Sequence, residues 1–259
     1  MKKKMINEPW EAIFGDCRIH EHDFDKSPFI VTADQIKVIT KGRGFEKTGE
    51  WEPRILCKHD TRESRPEIFV EHGLFLLPIL NGTYAIIRGE GYVDIPPATG
   101  DVCIYNPKLD FPLKTLHVGD SEMQHLDFAY TTSLVRTFIQ DKSLILTIRG
   151  RKRSPQFSFR VGSHNIAVNG VQIEVDAGYE GKGQVVVVEA KNNITTNVII
   201  RQLFYPFHMW RHHAQKTVRT LFFEKREKLY SLWEFVFDDT ADYNSIRLER
   251  SQCFEIVWQ

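Results

Sequence analysis

The sequence lacks clustered cysteines, a long apolar run and an excess of either charge. Its four cysteines, at 17, 57, 103 and 253, are far apart and form no C-x-x-C pair, so they read as reduced thiols rather than a disulfide framework or a structural zinc site. The longest apolar run, LFLLPIL at 74–80, is far too short to cross a bilayer, and no membrane partner is expected. The opening MKKKMINEPW is basic with no apolar segment behind it, which points to an unexported, cytoplasmic protein. Lys plus Arg and Asp plus Glu both number 34, so bulk attraction to a polyanion is excluded and only local basic patches remain. Internal repeats and low-complexity tracts are also missing.

What is present is an ordinary globular composition, 42% hydrophobic and 26% charged over 259 residues, which names no function by itself. That length can bury a substantial core, and two lobes are expected, at 1–118 and 119–259.

The first lobe carries clear local signals. Thr32 followed by Gln35 in TADQIKVIT is a capping-box pattern that opens a short amphipathic helix. RPEIFVEHG predicts a second helix, with Ser64 as N-cap, Pro66 in its first turn and Gly73 past its end. LFLLPILNGTYAIIRG reads as two strands around Asn81-Gly82, a strong hairpin signal. Helix, helix, hairpin is the order of a winged-helix module, which would place Arg62 and Arg65 at the start of the second helix, where phosphate or base contact is made. The same order also suits an α+β lobe with no nucleic-acid contact.

Residues 91–120 hold four of the eleven prolines and suit an irregular connection. SEMQHLDFAYTTSLVRTFI then resumes helical spacing, with Leu126, Ala129, Tyr130, Leu134 and Phe138 on one stripe. Short β-rich segments follow, then four consecutive valines and a longer helical stretch after residue 195.

The chemistry concentrates in IEVDAGYEGKGQVVVVEAK at 173–191. A two-residue turn at Lys182-Gly183, with Gly183 supplying positive φ, makes residue 181 face 184. That register puts Asp176 opposite Glu189 and Glu174 opposite Lys191, on one face of the hairpin. Directly opposed carboxylates, with Cβ atoms roughly 4.5–5.5 Å apart, repel unless a counter-charge joins them. Mg²⁺, which takes hard oxygen ligands and only one or two protein carboxylates, suits that place, and Lys191 would stand beside the ion and its water. The plain alternative is a polar hairpin face in which Glu174 pairs with Lys191 and Glu189 with Lys182 or another cation. The valine run weighs against it, because a strand apolar on both faces is central, and charges at its end sit where open α/β sheets place functional sites.

With IEVD ending in Asp176, VVVVEAK carrying Glu189 and Lys191, and the following IIRQLFYPFHMW, the sequence resembles the PD-(D/E)XK nuclease superfamily, the core shared by most type II restriction endonucleases. The resemblance covers the last 110 to 140 residues and implies an α/β (α+β) fold: a restriction-endonuclease-like mixed central β-sheet flanked by helices, behind an N-terminal winged-helix-like lobe. It further implies Mg²⁺-dependent hydrolysis of double-stranded DNA, leaving 5′-phosphate and 3′-hydroxyl ends. Asp176, Glu189 and the backbone carbonyl of Ala190 would hold the metal, and Lys191 would orient or activate the water. Glu122 or Asp127 would supply a further acid from the helix before the sheet. Arg201 and Gln202 would contact phosphate or support Lys191, although a buried helix–sheet hydrogen bond serves Gln202 equally well. A homodimer cutting a symmetric site, alongside a cognate DNA methyltransferase, completes the expectation. A DNA-binding protein without catalysis, a repair or recombination nuclease of the same fold, and a β-rich ligand-binding protein are the competing readings.

Two further patches stand out. RGRKR supplies Arg149, Arg151, Lys152 and Arg153 as either a phosphate-contacting loop or a solvated turn. His208 and His212 have i, i+4 spacing on a helix but no evident third metal ligand. The basic, aromatic stretch after them, HHAQKTVRTLFFEKREKLY, could line a DNA groove or a dimer contact, with Leu221, Phe222 and Tyr230 in the core.

Overall fold

In the computed structural model, which describes residues 5–115 and 118–258, the chain begins with α1 (Asn7–Asp16), β1 (Phe29–Thr32) and α2 (Ala33–Gly42). The basic cluster at residues 2–4 lies outside the described residues. Thr32 caps α2 as expected: its hydroxyl accepts from the Gln35 N–H, and its own N–H donates to Gln35 Oε1 at 2.8 Å. Two single-turn helices follow, α3 (Thr48–Trp51) and α4 (Pro53–Leu56), then α5 (Glu67–Glu71), β2 (Leu74–Leu80) and β3 (Thr83–Arg88). Ser64 does not cap α5. It closes a preceding 3₁₀ turn capped by Thr61, and Pro66 takes the N-cap place. Gly73, at φ +62°, ends the helix, and Gly82, at φ +73°, turns the hairpin. β1 pairs with β3, giving a sheet in the order β1-β3-β2 that packs with the helices around Trp10, Phe14 and Phe69.

The proline-rich connection holds two short strands, β4 (Tyr92–Asp94) and β5 (Cys103–Tyr105), and both belong to the second half of the chain. Three-residue strands between prolines and glycines show no alternation, which is why this segment reads as irregular. Next come α6 (Glu122–Thr131) and α7 (Leu134–Ile139), separated by Ser133 at φ 66°. β6 (Ile145–Arg153), the hairpin β7 (Phe157–Val161) and β8 (His164–Val168), β9 (Gln172–Glu180), β10 (Gln184–Lys191) and β11 (Asn197–Ile199) lead to α8 (Arg201–His213). The chain ends in β12 (Thr217–Arg226), β13 (Leu229–Phe237) and β14 (Ile246–Ile256). LFFEKREKLY is strand, turn and strand, and Leu221, Phe222 and Tyr230 are buried in the core as anticipated.

Seven strands form one mixed sheet in the order β5-β14-β13-β12-β10-β9-β6. β10 and β12 run parallel, joined by the crossover helix α8, and β9 and β6 continue antiparallel on the other side. Val186 and Val188 face a core built by α6 and α7, while Val185 and Val187 face one built by α8. The run is thus central, as its composition predicts, and each buried valine contributes about 1.5–3 kcal/mol. Among the described residues no helix is long and apolar enough to cross a membrane.

The start of α8 is fixed from behind. The carbonyl of Gly91 accepts from the Ile200 N–H at 3.0 Å and from the Tyr243 hydroxyl at 3.3 Å, and that hydroxyl in turn accepts the Arg201 N–H at 2.8 Å. Residue 91 must be glycine, since a Cβ there would lie 2.3 Å from a ring carbon of Phe75. Tyr243 is fully buried, so Tyr243→Phe leaves the Arg201 N–H without its acceptor. Urea unfolding of that variant should show a loss of about 1–3 kcal/mol; an unchanged midpoint would mean the bond contributes nothing to holding the helix.

Candidate metal centre

The β9–β10 hairpin has the register the sequence predicts: Val185 pairs with Glu180, and Val188 with Ala177. The turn closes with Gly181 N–H donating to the Gln184 carbonyl at 2.8 Å. Gly183 does not adopt positive φ, contrary to expectation. The turn is tied to its neighbours, by Lys182 N–H to Ser143 Oγ at 3.0 Å and Thr217 N–H to the Gly183 carbonyl at 3.3 Å, so its backbone follows them rather than an isolated hairpin geometry.

The ladder stops after Val188–Ala177, just where the acids begin. Asp176 faces Glu189's strand but reaches it through its side chain: Oδ2 accepts the Ala190 N–H at 2.8 Å. Two observations explain the splaying. Ile173 and Val175 pack in the α8-side core but Ala177 and Tyr179 in the opposite one, so the two-residue alternation of β9 breaks at Asp176. The register between β6 and β9 also slips here, from Ile148–Gly178 to Gly150–Val175. Arg149 secures the irregular backbone by donating to the Asp176 carbonyl at 2.8 Å. Because pairing has ended, Glu174 is not matched with Lys191. It accepts from Arg151 Nε at 3.1 Å instead.

Glu189 is 7% exposed and pairs with Lys191, not Lys182. Its Oε1 accepts from Lys191 Nζ and from Gln202 Nε2, the latter at 2.6 Å from the first turn of α8. Lys191 Nζ also donates to the Ala190 carbonyl at 3.1 Å. One ammonium therefore bridges the Glu189 carboxylate and the Ala190 carbonyl, with the Asp176 carboxylate on the next N–H along.

Electrostatics follow from burial. Desolvation pushes the Glu189 carboxyl up to about 7, the negative charges of Asp176 and Asp60 push it the same way, and Lys191 opposes them. Asp176 is likewise raised, by burial first, against the Ala190 N–H and Lys191. Burial alone would lower Lys191, but attraction to Glu189, Glu122 and Asp176 outweighs it and keeps the amine charged. Three acids thus act on a single amine, an imbalance that a hard divalent cation would relieve.

The donors fit such an ion. Asp176 from β9 and Glu189 and the Ala190 carbonyl from β10 offer oxygens at the splayed end of the hairpin, and Gln202 Oε1 is buried with no hydrogen-bond partner. Among the described residues no group of three or more His, Cys, Asp or Glu side chains could hold a metal by itself. The carbonyl and water would have to complete the shell, which suits Mg²⁺, an ion that keeps several waters and uses few carboxylates.

The other expected residues are distributed differently. Glu122 lies in the first turn of α6 and acts electrostatically on Lys191, whereas Asp127 pairs with Arg149. RGRKR is not a loop but the end of strand β6: Arg149 is turned inward, Arg153 donates to the Gly170 carbonyl at 2.9 Å, and Arg151, Lys152 and Arg153 are exposed. Arg62 pairs with Glu90 and with Asp94 of β4, and Arg65 donates to the Arg62 and Leu74 carbonyls, so both are held by contacts within the protein. Arg201 pairs with Asp60 at 3.6 Å. His208 stacks on Phe157 at 5.0 Å, and burial lowers its pKa to about 4, while His212 is exposed; the two do not form a shared site. Sequence reasoning missed Asp60 and Asn197, which reach this region from positions that carry no motif.

A family model described as Domain of unknown function (DUF6997) matches residues 87–255, and a second, Domain of unknown function (DUF6996), matches residues 7–86. No curated protein and no solved structure matches the chain.

Both site carboxyls have raised pKa values in the folded protein. Their contribution to stability is fully present below the ordinary carboxylate range and is lost as pH rises through the folded pKa, to about 7 for Glu189. A bound divalent ion must displace those protons, so its affinity rises across the same window. Thermal unfolding should therefore show a larger Mg²⁺- or Mn²⁺-induced stabilisation at about pH 8 than at about pH 5.5, and none in Asp176→Ala. A shift that is equal at both pH values, or that survives Asp176→Ala, places the ion elsewhere.

Proposed function

The chain belongs to the family described as Domain of unknown function (DUF6997), and from the chemistry of its site we propose that it is a Mg²⁺-dependent endonuclease of double-stranded DNA, of the type II restriction kind. One observation carries the reading: the Lys191 ammonium bridges the Glu189 carboxylate and the Ala190 carbonyl at the splayed end of a central hairpin, beside the Asp176 carboxylate. These are the groups that the PD-(D/E)XK resemblance assigns to catalysis.

In this proposal Asp176, Glu189 and the Ala190 carbonyl hold Mg²⁺, with Glu122 near enough to act on Lys191 and so on the water around it. The ion, when bound, polarises the scissile phosphate, lowers the pKa of a bound water and stabilises charge on the leaving 3′ oxygen. Lys191 Nζ orients the attacking water. Released from Glu189, the ammonium would lose the attraction that keeps it charged, give its proton to solvent and, as the neutral amine, accept the water's proton. Attack at phosphorus breaks the bond to the 3′ oxygen, leaving a 5′-phosphate and a 3′-hydroxyl. Gln202 keeps Glu189 in place from α8, the hydrogen bond across helix and sheet that the sequence leaves open for it. Arg149 acts indirectly, by holding the Asp176 backbone.

Double-stranded DNA would lie across the exposed residues Arg151, Lys152 and Arg153 of β6. Each phosphate they neutralise steepens the salt dependence of binding. The N-terminal lobe, with its helices and hairpin, would add duplex recognition in the manner of a winged helix, and a homodimer would cut both strands of a symmetric site. A cognate methyltransferase would protect the host's copies of that site. A repair or recombination nuclease would use the same chemistry with little sequence preference.

Plasmid cleavage tests the reading. Wild-type protein with Mg²⁺ should give discrete fragments with uniform ends, and none with EDTA. Lys191→Ala should cut at least about 10²-fold more slowly while retaining DNA binding. Mg²⁺-independent binding with no cleavage would support a DNA-binding protein without catalysis, and random ends a nuclease of another role.

A further inference from the structure

The N-terminal lobe meets α8 in two places: β2 and β3 pack into its core, with the Tyr205 hydroxyl donating to the Pro78 carbonyl, and a short segment reaches its first turn. Between α4 and α5, residues 59–63 lie against β11 and the start of α8. The Asp60 carbonyl accepts the Ile199 N–H at 2.9 Å, and the Asp60 carboxylate pairs with Arg201 at 3.6 Å. Asn197, 2% exposed, accepts the Arg62 N–H on Oδ1 at 2.7 Å and donates through Nδ2 to both carboxylate oxygens of Glu63 at 3.0 Å. Directly beyond Arg201, Gln202 holds Glu189.

We propose that Asp60 and Asn197 are positioning residues that latch the N-terminal lobe to the first turn of α8 and so set Gln202 against Glu189. The proposal rests on the reading of Glu189 as a metal ligand for its consequence, though not for its geometry. The latch uses side chains on both sides: the carboxylates of Asp60 and Glu63 from the first lobe, and the amide of Asn197 and the guanidinium of Arg201 from the second. Arg201, which Asp60 holds, is the chain neighbour of Gln202, and Asp60 is near enough to Glu189 to act electrostatically on that carboxylate. Any displacement of residues 59–63, such as one accompanying engagement of a duplex by the first lobe, moves the N-terminus of α8 and with it the bond to Glu189. Recognition in one lobe is thereby linked to the ion's ligand in the other.

The decisive experiment is hydrogen exchange of the Gln202 side-chain amide, followed by NMR on full-length ¹⁵N-labelled protein without metal. In wild type these protons exchange slowly; in Asp60→Asn, which keeps the shape and removes the charge, and in Asn197→Ala they should exchange several-fold faster, with the α6 backbone amides unchanged. Asp60→Glu should restore slow exchange. Lys58→Ala, which removes the partner of the other Asp60 carboxylate oxygen, Oδ2, should leave Gln202 as in wild type. Mn²⁺ affinity is the second readout, and it should weaken by about tenfold in Asp60→Asn. Unchanged Gln202 exchange in both latch variants overturns the proposal, as does a loosening spread evenly through the protein. Wild-type protein that binds no Mn²⁺ would sink the nuclease reading and leave the latch to be decided by the exchange rates.

Discussion

A carboxylate buried at the end of a valine strand is the constraint around which this molecule is organised. Glu189 cannot be left without partners at that depth, because an isolated buried charge costs several kcal/mol. Lys191 answers the charge and Gln202 the remaining hydrogen-bonding need, and each comes from a different direction. The amine is two residues along the same strand, while the amide comes from the crossover helix that makes β10 and β12 parallel. A parallel strand pair requires such a crossover, so the topology that buries the valines also delivers the helix terminus that holds the acid.

The opening of the hairpin is equally enforced. β9 serves one core with Ile173 and Val175 and the other with Ala177 and Tyr179, and the change of side falls on Asp176. A strand that changes side cannot keep its ladder, and the freed Ala190 N–H is taken by the Asp176 carboxylate. Arg149 closes the account by binding the Asp176 carbonyl, with Asp127 of α6 balancing its charge. Two of the backbone groups freed by the irregularity are thus hydrogen-bonded by side chains, and it leaves acidic oxygens and an amine together where an unbroken ladder would have paired backbone only.

What could be read from sequence depended on how local the determinants were. The Thr32 capping box and the Asn81-Gly82 hairpin are specified by adjacent residues, and the turn register at 181–184 follows from the spacing of its strands. Asp176, Glu189 and Lys191 come together as the register implies, although the ladder ends before them. β12 and β13 were obscured because their aromatic residues are buried on both faces, which erases the alternation that marks a half-exposed strand. The 91–120 segment hid its strands in three-residue lengths. Asp60 and Asn197 meet only after both lobes have folded, so no local pattern could announce them.

In the proposed metal centre Asp176, Glu189 and the Ala190 carbonyl share one divalent ion, and the Lys191 ammonium bridges Glu189 and Ala190 without it. Anomalous diffraction from crystals soaked in Mn²⁺ addresses it directly. A peak bonded to all three oxygens is expected, at roughly 2.0–2.1 Å as for Mg²⁺-type sites, with Nζ of Lys191 drawn away from Glu189. A map with no peak there, and with Lys191 still bridging Glu189 and Ala190 at saturating Mn²⁺, would contradict it.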